Sequence, residues 1–273
     1  MNFTIGALGT DVSFWQDNNN TVQKIDFAKM TAVGARFTIL RAGQNTWRDE
    51  DYQDYVKAVK LVGLPWGAYW FFDSRSSPSS QVALWKSQMG ASVPKVLVAD
   101  FEESYGGSYR GEANWKAFLN QCGAAFSSST IMIYTANWWW SQQVVGADAP
   151  QSDKWSLVND PNFFAQYPLW VAAYPVPTNP AFVTLPMPWR NMQAHIWQFS
   201  DTGSGSLYGV ESSRIDLNYW NSFYDFSLFW GSEPTPNPTP TPTGTKIRLT
   251  IKNETPAAIT LQPGETHIVE GNL

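Results

Sequence analysis

Short apolar runs, most of them closing on a polar or small residue, recur along the chain as far as Trp220 and alternate in its first half with stretches of helical period. Eight of these runs have the length and the β-branched or aromatic content of strands: Leu8–Ser13, Ala35–Ala42, Pro65–Phe72, Lys95–Phe101, Thr130–Thr135, Leu169–Tyr174, His195–Phe199 and Arg214–Asn218. Between the early ones lie four helical patterns, Asp26–Val33, Tyr52–Val62, Ser79–Met89 and Glu112–Ala125, the first two followed by Gly34 and Gly63 at the place of a C-cap. After the fifth strand the spacers turn rich in Trp, Pro and Asn and lose helical periodicity. Strand and helix in alternation predict a parallel sheet, and eight strands predict its closure, so the expected fold is an α/β, TIM-like barrel whose later repeats have lost their helices.

The pattern ends in a Pro/Thr stretch. Residues 233–245, with Pro234-Thr235-Pro236-Asn237-Pro238 at its start, can form neither helix nor central strand and read as an extended linker. Residues 1–232 are then the barrel domain. Residues 246–273 are a short β-rich tail, in which Lys246–Lys252 alternates with period two and Ala258–Leu261 supplies a second candidate strand. With neither cysteine nor metal motif, the tail is too small for a stable independent core and is expected to be a hairpin or a truncated module.

In barrels of this type the active site lies at the C-terminal ends of the strands. Polar residues at those ends are Asp11, Asp73, Asp100, Glu102, Gln198, Asp216 and Asn218, a ring of carboxylates converging on one mouth. Asp100 and Glu102 close the apolar run Val96–Ala99 at a spacing of two, which aims both side chains to the same face and leaves Glu103 on the other.

Composition narrows the chemistry. The chain has 273 residues, 43% hydrophobic and 15% charged, enough to bury a large core. A net charge of −5 without Lys or Arg clusters argues against nucleic acid and against a basic membrane patch, and no apolar run approaches a membrane span. The single Cys122 sits in a helical pattern as a small buried residue. With only His195 and His267, a Ser-His-Asp triad or a His-rich metal site is not expected, and His195, at a strand start, reads as a structural hydrogen-bonding residue. No phosphate-binding glycine loop is present, so neither a metal nor another cofactor is expected. Carboxylates and aromatics remain, and with 15 Trp in the chain they point to glycoside hydrolysis: one carboxylic acid protonates the leaving oxygen while a carboxylate supports the oxocarbenium-like centre.

Several segments carry a family resemblance. Gly9-Thr10-Asp11-Val12-Ser13-Phe14-Trp15-Gln16, Ala99-Asp100-Phe101-Glu102, Ile133-Tyr134-Thr135, Leu169–Tyr174, and Ile196–Asp201 followed by Ile215-Asp216-Leu217-Asn218 together resemble glycoside hydrolase family 25, the Chalaropsis-type lysozymes of bacteria, fungi and phage. The resemblance implies a (β/α)5(β)3 barrel that cleaves the β-1,4 bond between N-acetylmuramic acid and N-acetylglucosamine in bacterial peptidoglycan. It makes Glu102 the general acid and Asp100, Asp11 and Asp216 the other catalytic carboxylates. Departures from the family pattern fall at Asp17–Val22, Trp70 and Trp138-Trp139-Trp140 and bear on subsite shape.

Among aromatics and like charges, Glu102 is expected to stay protonated near neutrality and Asp100 to stay ionised. Asp100 is expected to orient the substrate's N-acetyl group in a substrate-assisted retaining route; a carboxylate nucleophile and an inverting water are the alternatives. Tyr69, Tyr134, Trp170, Tyr174, Trp197 and Gln198 are the candidate substrate-binding residues, about half of the aromatics being expected to touch sugar and the rest to pack the barrel. The enzyme is expected to act as a monomer at the cell wall. Having no visible signal peptide, it fits a phage endolysin made in the host cytoplasm, or a secreted enzyme without its signal. The competing readings are a barrel that binds glycan without cutting it and a chitinase-like hydrolase.

Overall fold

A computed structural model describes residues 1–17, 25–102, 106–140 and 160–231. Most of the Asp17–Val22 loop, Glu103, the Pro/Thr linker and the tail lie outside the described residues.

Nine strands form one sheet: β1 (Ile5–Val12), β2 (Ala35–Gln44), β3 (Trp47–Arg48), β4 (Trp66–Phe71), β5 (Val96–Asp100), β6 (Thr130–Ala136), β7 (Leu169–Ala172), β8 (Ile196–Ser204) and β9 (Arg214–Asn221). Strand β1 pairs with β2 in parallel and with β9 antiparallel, and this closes eight of the strands into a barrel, with β3 a short hairpin partner on the end of β2. Helices α1 (Phe27–Ala32), α2 (Tyr52–Val62), α3 (Pro78–Met89) and α4 (Glu112–Ala125) cover the early repeats. The last connections carry 3₁₀ turns in place of helices, and one of these, Gly205–Tyr208, lies between β8 and its antiparallel partner β9. This is the (β/α)5(β)3 arrangement expected from the sequence.

Capping follows local chemistry. Asp26 accepts the Lys29 amide at the start of α1, Ser77 accepts that of Ser80 ahead of Pro78 in α3, and Gly63 ends α2 at φ 68°, a conformation costly for any residue with a Cβ. The sequence pattern missed two features. Strand β2 runs past Ala42 to Gln44 and turns through Asn45 (φ 55°) into β3, and β8 and β9 extend further because they pair with each other.

Strand alternation sorts the side chains into two cores. Leu97, Ala99 and Phe101 of β5 face outward to the helices, where Trp85, Trp115, Phe118 and Cys122 meet them; Val96 and Val98 face the lumen with Ile39, Met132 and Ile196. The barrel floor is aromatic. Phe37 stacks on Trp230 at 4.6 Å, and Trp220 meets Trp230 edge-on at 6.1 Å, so the short helix Phe226–Trp230 plugs the end opposite the carboxylates. His195 is structural as expected, but by stacking: its ring lies 3.6 Å from that of Tyr224 at 10°, its Nδ1 has no hydrogen-bond partner, and burial lowers its pKa to about 4.

Removing the plug leaves a void that the rigid barrel cannot fill. Trp230→Ala should cost about 3–5 kcal/mol and lower Tm by roughly 6–20 °C in calorimetry. A loss below about 2 °C would show that the floor does not depend on this ring.

Candidate active site

Inward-facing positions at the C-terminal strand ends carry the polar groups. Asp11 and Asp216 are direct cross-strand partners in the β1–β9 pair, and two residues on from Asp216 Asn218 pairs with Gly9. Asp100 ends β5 in register with Phe71 of β4 and Tyr134 of β6, and Glu102 follows just beyond the strand. The structure thus brings Asp11, Asp100, Glu102 and Asp216 together around a pocket of about 240 Å3, lined also by Tyr69, Tyr134, Trp170, Tyr174 and Gln198. A wider cleft of about 580 Å3 shares Tyr69, Asp100, Glu102 and Asp216 with it and continues to Phe14, Trp15, Arg41 and Trp47.

A single hydrogen-bond network holds Asp11. Gln198 Nε2 and Asn218 Nδ2 both donate to Asp11 Oδ2, at 3.0 and 2.7 Å, and the Trp170 indole donates to Asn218 Oδ1 at 2.8 Å. Since its amide nitrogen is committed to Asp11, Gln198 offers only Oε1 to the two phenols that reach it, Tyr134 at 2.9 Å and Tyr174 at 2.7 Å. The Tyr134 phenol is also hydrogen-bonded to Glu102, where it favours the charged form and opposes the effect of burial.

Burial acts in the same direction on all four carboxyls, and like charge adds to it at Asp100, Glu102 and Asp216. Desolvation raises Asp11 to about 6, against the hydrogen bonds from Asn218 and Gln198 that favour its charge. Glu102 is raised to about 7 by burial and the charge of Asp11, with Arg41 opposing. Asp216 is raised to about 9 by burial and the charge of Asp11. Asp100 is raised well above the usual carboxylate range by burial and the charge of Glu102. The directions run against one expectation: two amide donors favour the charged form of Asp11, whereas Asp100 Oδ1 is buried without a partner among the described residues and its carboxyl is driven toward the neutral form. Glu102, raised to about 7, holds its proton more strongly than an ordinary glutamate.

Two further expectations are corrected. Trp197 is fully buried on the outward face of β8, its indole donating to Ala173 O at 2.7 Å and its ring 5.9 Å from that of Phe3, so it packs the barrel against the outer layer. The alternation that puts Gln198 in the mouth necessarily turns Trp197 away. Asp73 does not join the carboxylate ring: Arg75 Nε donates to its Oδ1 at 2.9 Å, and ion pairing overcomes the effect of burial to hold it below its ordinary pKa. Trp70 is likewise buried outside the lumen, donating to Gln81 Oε1 at 3.1 Å.

Sequence reasoning passed over Arg41 and the aromatic lip. Arg41 shares the inward parity of Phe37 and Ile39 on β2, and a charged residue at the end of a lumen-facing row is a readable signal. Phe14, Trp15 and Trp47 come together only through tertiary contacts: the Phe14 amide donates to Asp49 Oδ2 at 3.0 Å, and the Phe14 ring lies 4.2 Å from Trp15 and 5.0 Å from Trp47. Among the described residues no cluster suited to a metal ion is found.

A closed (β/α)5(β)3 barrel with buried carboxyls of separated proton affinity and an open aromatic cleft defines an acid–base hydrolase of glycans. Residues 10–207 match the sequence model of Glycosyl hydrolases family 25, and the chain belongs to that family. No curated protein matches the chain. The fold is shared with the muramidase of Acremonium alcalophilum (22% identity, 82% of this chain and 96% of that one, TM-score 0.59). It is shared also with the lysozyme of Streptomyces coelicolor (23% identity, 80% and 93%, TM-score 0.56) and the catalytic domain of endolysin ply40 from bacteriophage P40 of Listeria monocytogenes (19% identity, 81% and 95%, TM-score 0.56).

The raised pKa of Asp100 sets the sign of a stability effect. A carboxyl protonated in the folded state and ionised in the unfolded one makes stability fall as pH rises above its ordinary value of 3.8. Asp100→Asn removes that cost, so at pH 8 the variant should melt above the parent by about 2–4 °C per kcal/mol relieved, and the gap should close toward pH 4. Thermal melts across pH check this; a gap independent of pH would show that the Asp100 charge is not the cause.

Proposed function

We propose that this glycoside hydrolase is a lysozyme, an N-acetylmuramidase that cleaves the β-1,4 bond between N-acetylmuramic acid and N-acetylglucosamine in bacterial peptidoglycan. The observation that carries the reading is the pairing of Glu102, protonated near neutrality, with Asp11, ionised and fixed by two amide donors, at the floor of one open cleft. Family membership and the likeness to a muramidase and a lysozyme support the same substrate.

In the mechanism, Glu102 delivers its proton to the glycosidic oxygen as the C1–O bond breaks, the carbonyl oxygen of the substrate's own N-acetyl group closes on C1 and is then displaced by a water that returns a proton to Glu102, and the Asp11 carboxylate faces the positive charge that develops on the ring. Asp100, with Oδ1 unpartnered and lining both parts of the cleft, orients the N-acetyl group. Asp216, beside Asp11 across the β1–β9 pair, shares its proton with Asp11 and keeps that charge in place. Tyr69, Tyr134 and Tyr174 border the sugar, while Gln198, Asn218 and Trp170 act as positioning residues for Asp11. The enzyme would act as a monomer at the cell wall, in the setting of a phage endolysin or of an exported enzyme.

Glu102→Gln should reduce release of reducing ends from purified walls by about 10²–10⁴-fold with the near-UV circular dichroism unchanged. Full activity in this variant would sink the assignment. Mass analysis of the products should find muramic acid at the reducing end; N-acetylglucosamine there would mean a different bond. Because the acid must be protonated, kcat should fall as pH rises through about 7, and because Asp11 must be ionised it should also fall below about 6, a narrow bell in the pH–rate profile.

A further inference from the structure

Arg41, whose charge opposes the raised pKa values of Asp100 and Glu102, stands out among the buried groups that transfer no proton. It is 8% exposed, and among the described residues its one hydrogen bond is to a neutral acceptor, Gln44 Oε1. Its Nε is buried without a partner, and among the described residues no carboxylate lies within ion-pair distance of it. Two rings hold it in place, Trp47 with its centroid 5.1 Å from the guanidinium carbon and Phe14 at 5.8 Å. Arg75 lines the same arm of the cleft but is already answered by Asp73.

A buried guanidinium with no ion pair is expensive to maintain, and a cleft that keeps one open supplies the partner with its ligand. The surroundings describe that ligand. Trp15, 68% exposed, extends the Phe14–Trp47 surface into a shelf suited to the apolar face of a pyranose, and the planar guanidinium beside it matches a carboxylate. We propose that Arg41 is a specificity residue that recognises a carboxylate carried by the glycan, on or next to a sugar stacked against the Trp15–Trp47 shelf. The inference rests on the muramidase reading. A neutral N-acetylglucosamine polymer offers Arg41 nothing, whereas a muramyl residue presents a carboxylate from its lactyl ether or from the peptide attached to it, so this contact separates bacterial wall from chitin.

The test is binding of soluble glycan strands to the full-length Glu102→Gln protein, followed by tryptophan fluorescence. Four probes are compared: strands with stem peptides, strands stripped of peptide so that the lactyl carboxylate is free, and each of these with its carboxyls converted to methylamides. Amidation should weaken binding about tenfold or more. In Glu102→Gln/Arg41→Gln, unmodified strands should bind as weakly as amidated ones, with no further loss on amidation, and Arg41→Lys should recover part of the difference. If only peptide-bearing strands show the Arg41-dependent loss, the stem peptide supplies the carboxylate; if stripped strands show it too, the lactyl group suffices. Amidation that has no effect on the Glu102→Gln protein, or the same effect with and without Arg41, overturns the proposal, and the first of these needs no change at Arg41. Arg41-dependent binding by a chain whose parent releases no reducing ends would instead leave this inference standing and remove the assigned activity.

Discussion

Closure of the barrel through an antiparallel last strand is the constraint on which the site depends. A parallel β9 would bring a different set of side chains against β1. Running the other way, it lays Asp216 opposite Asp11 and Asn218 opposite Gly9, and Gly9 is required there because a Cβ would meet the Phe37 ring at 2.2 Å. Asn218 then reaches Asp11 from one side while Gln198, from the neighbouring β8, reaches it from the other. Asp11 is thereby the one carboxyl of the four with amide donors built to hold its charge, and the remaining three titrate in its field.

That field explains how four similar groups acquire different roles. Each loses hydration on burial, which alone would neutralise all of them. Two amide donors lower the cost for Asp11, and its charge then raises Glu102 and Asp216. Asp100, with no donor at Oδ1, is pushed well toward the neutral form. The arrangement is destabilising for the fold and is sustained by the aromatic packing beneath and around it, a division between a strained mouth and a rigid body that catalytic barrels commonly show.

Much of this could be read from the sequence because strand alternation is local. Val96, Val98 and Asp100 are necessarily on one face, and from that rule the barrel, its mouth and the four carboxylates follow. The failures have equally specific causes. Trp197 was placed by residue type, against the parity of its neighbour Gln198. Asp73 ends a strand as the others do, but an arginine two residues later captures it, and a strand-end rule contains no information about ion pairing. The ionised member of the set depends on amides contributed by β8 and β9, far along the chain from Asp100. The aromatic lip was invisible for the same reason: Phe14 and Trp47 are joined by way of Asp49, a loop carboxylate whose pattern of neighbours is set by the β2–β3 hairpin.

Asp49 also shows how the two halves of the cleft are coupled. It accepts the amides of Phe14 and Asp51 and is itself buried, with its backbone tied to Ala42 O and to the Gln88 side chain. Burial raises it to about 6, held there against the charge of Arg41 and the two amides. One loop carboxylate thus positions the ring that packs over Arg41 while contributing to the field that Arg41 feels, and Arg41 in turn lowers Asp100 and Glu102. A substrate carboxylate bound at Arg41 would offset its positive charge, allowing Glu102 to hold its proton more firmly when the cleft is filled than when it is empty. Recognition on the lip and acidity at the mouth are then two readings of the same charge, and an occupant without a carboxylate would be bound less well and meet a weaker tendency of Glu102 to stay protonated.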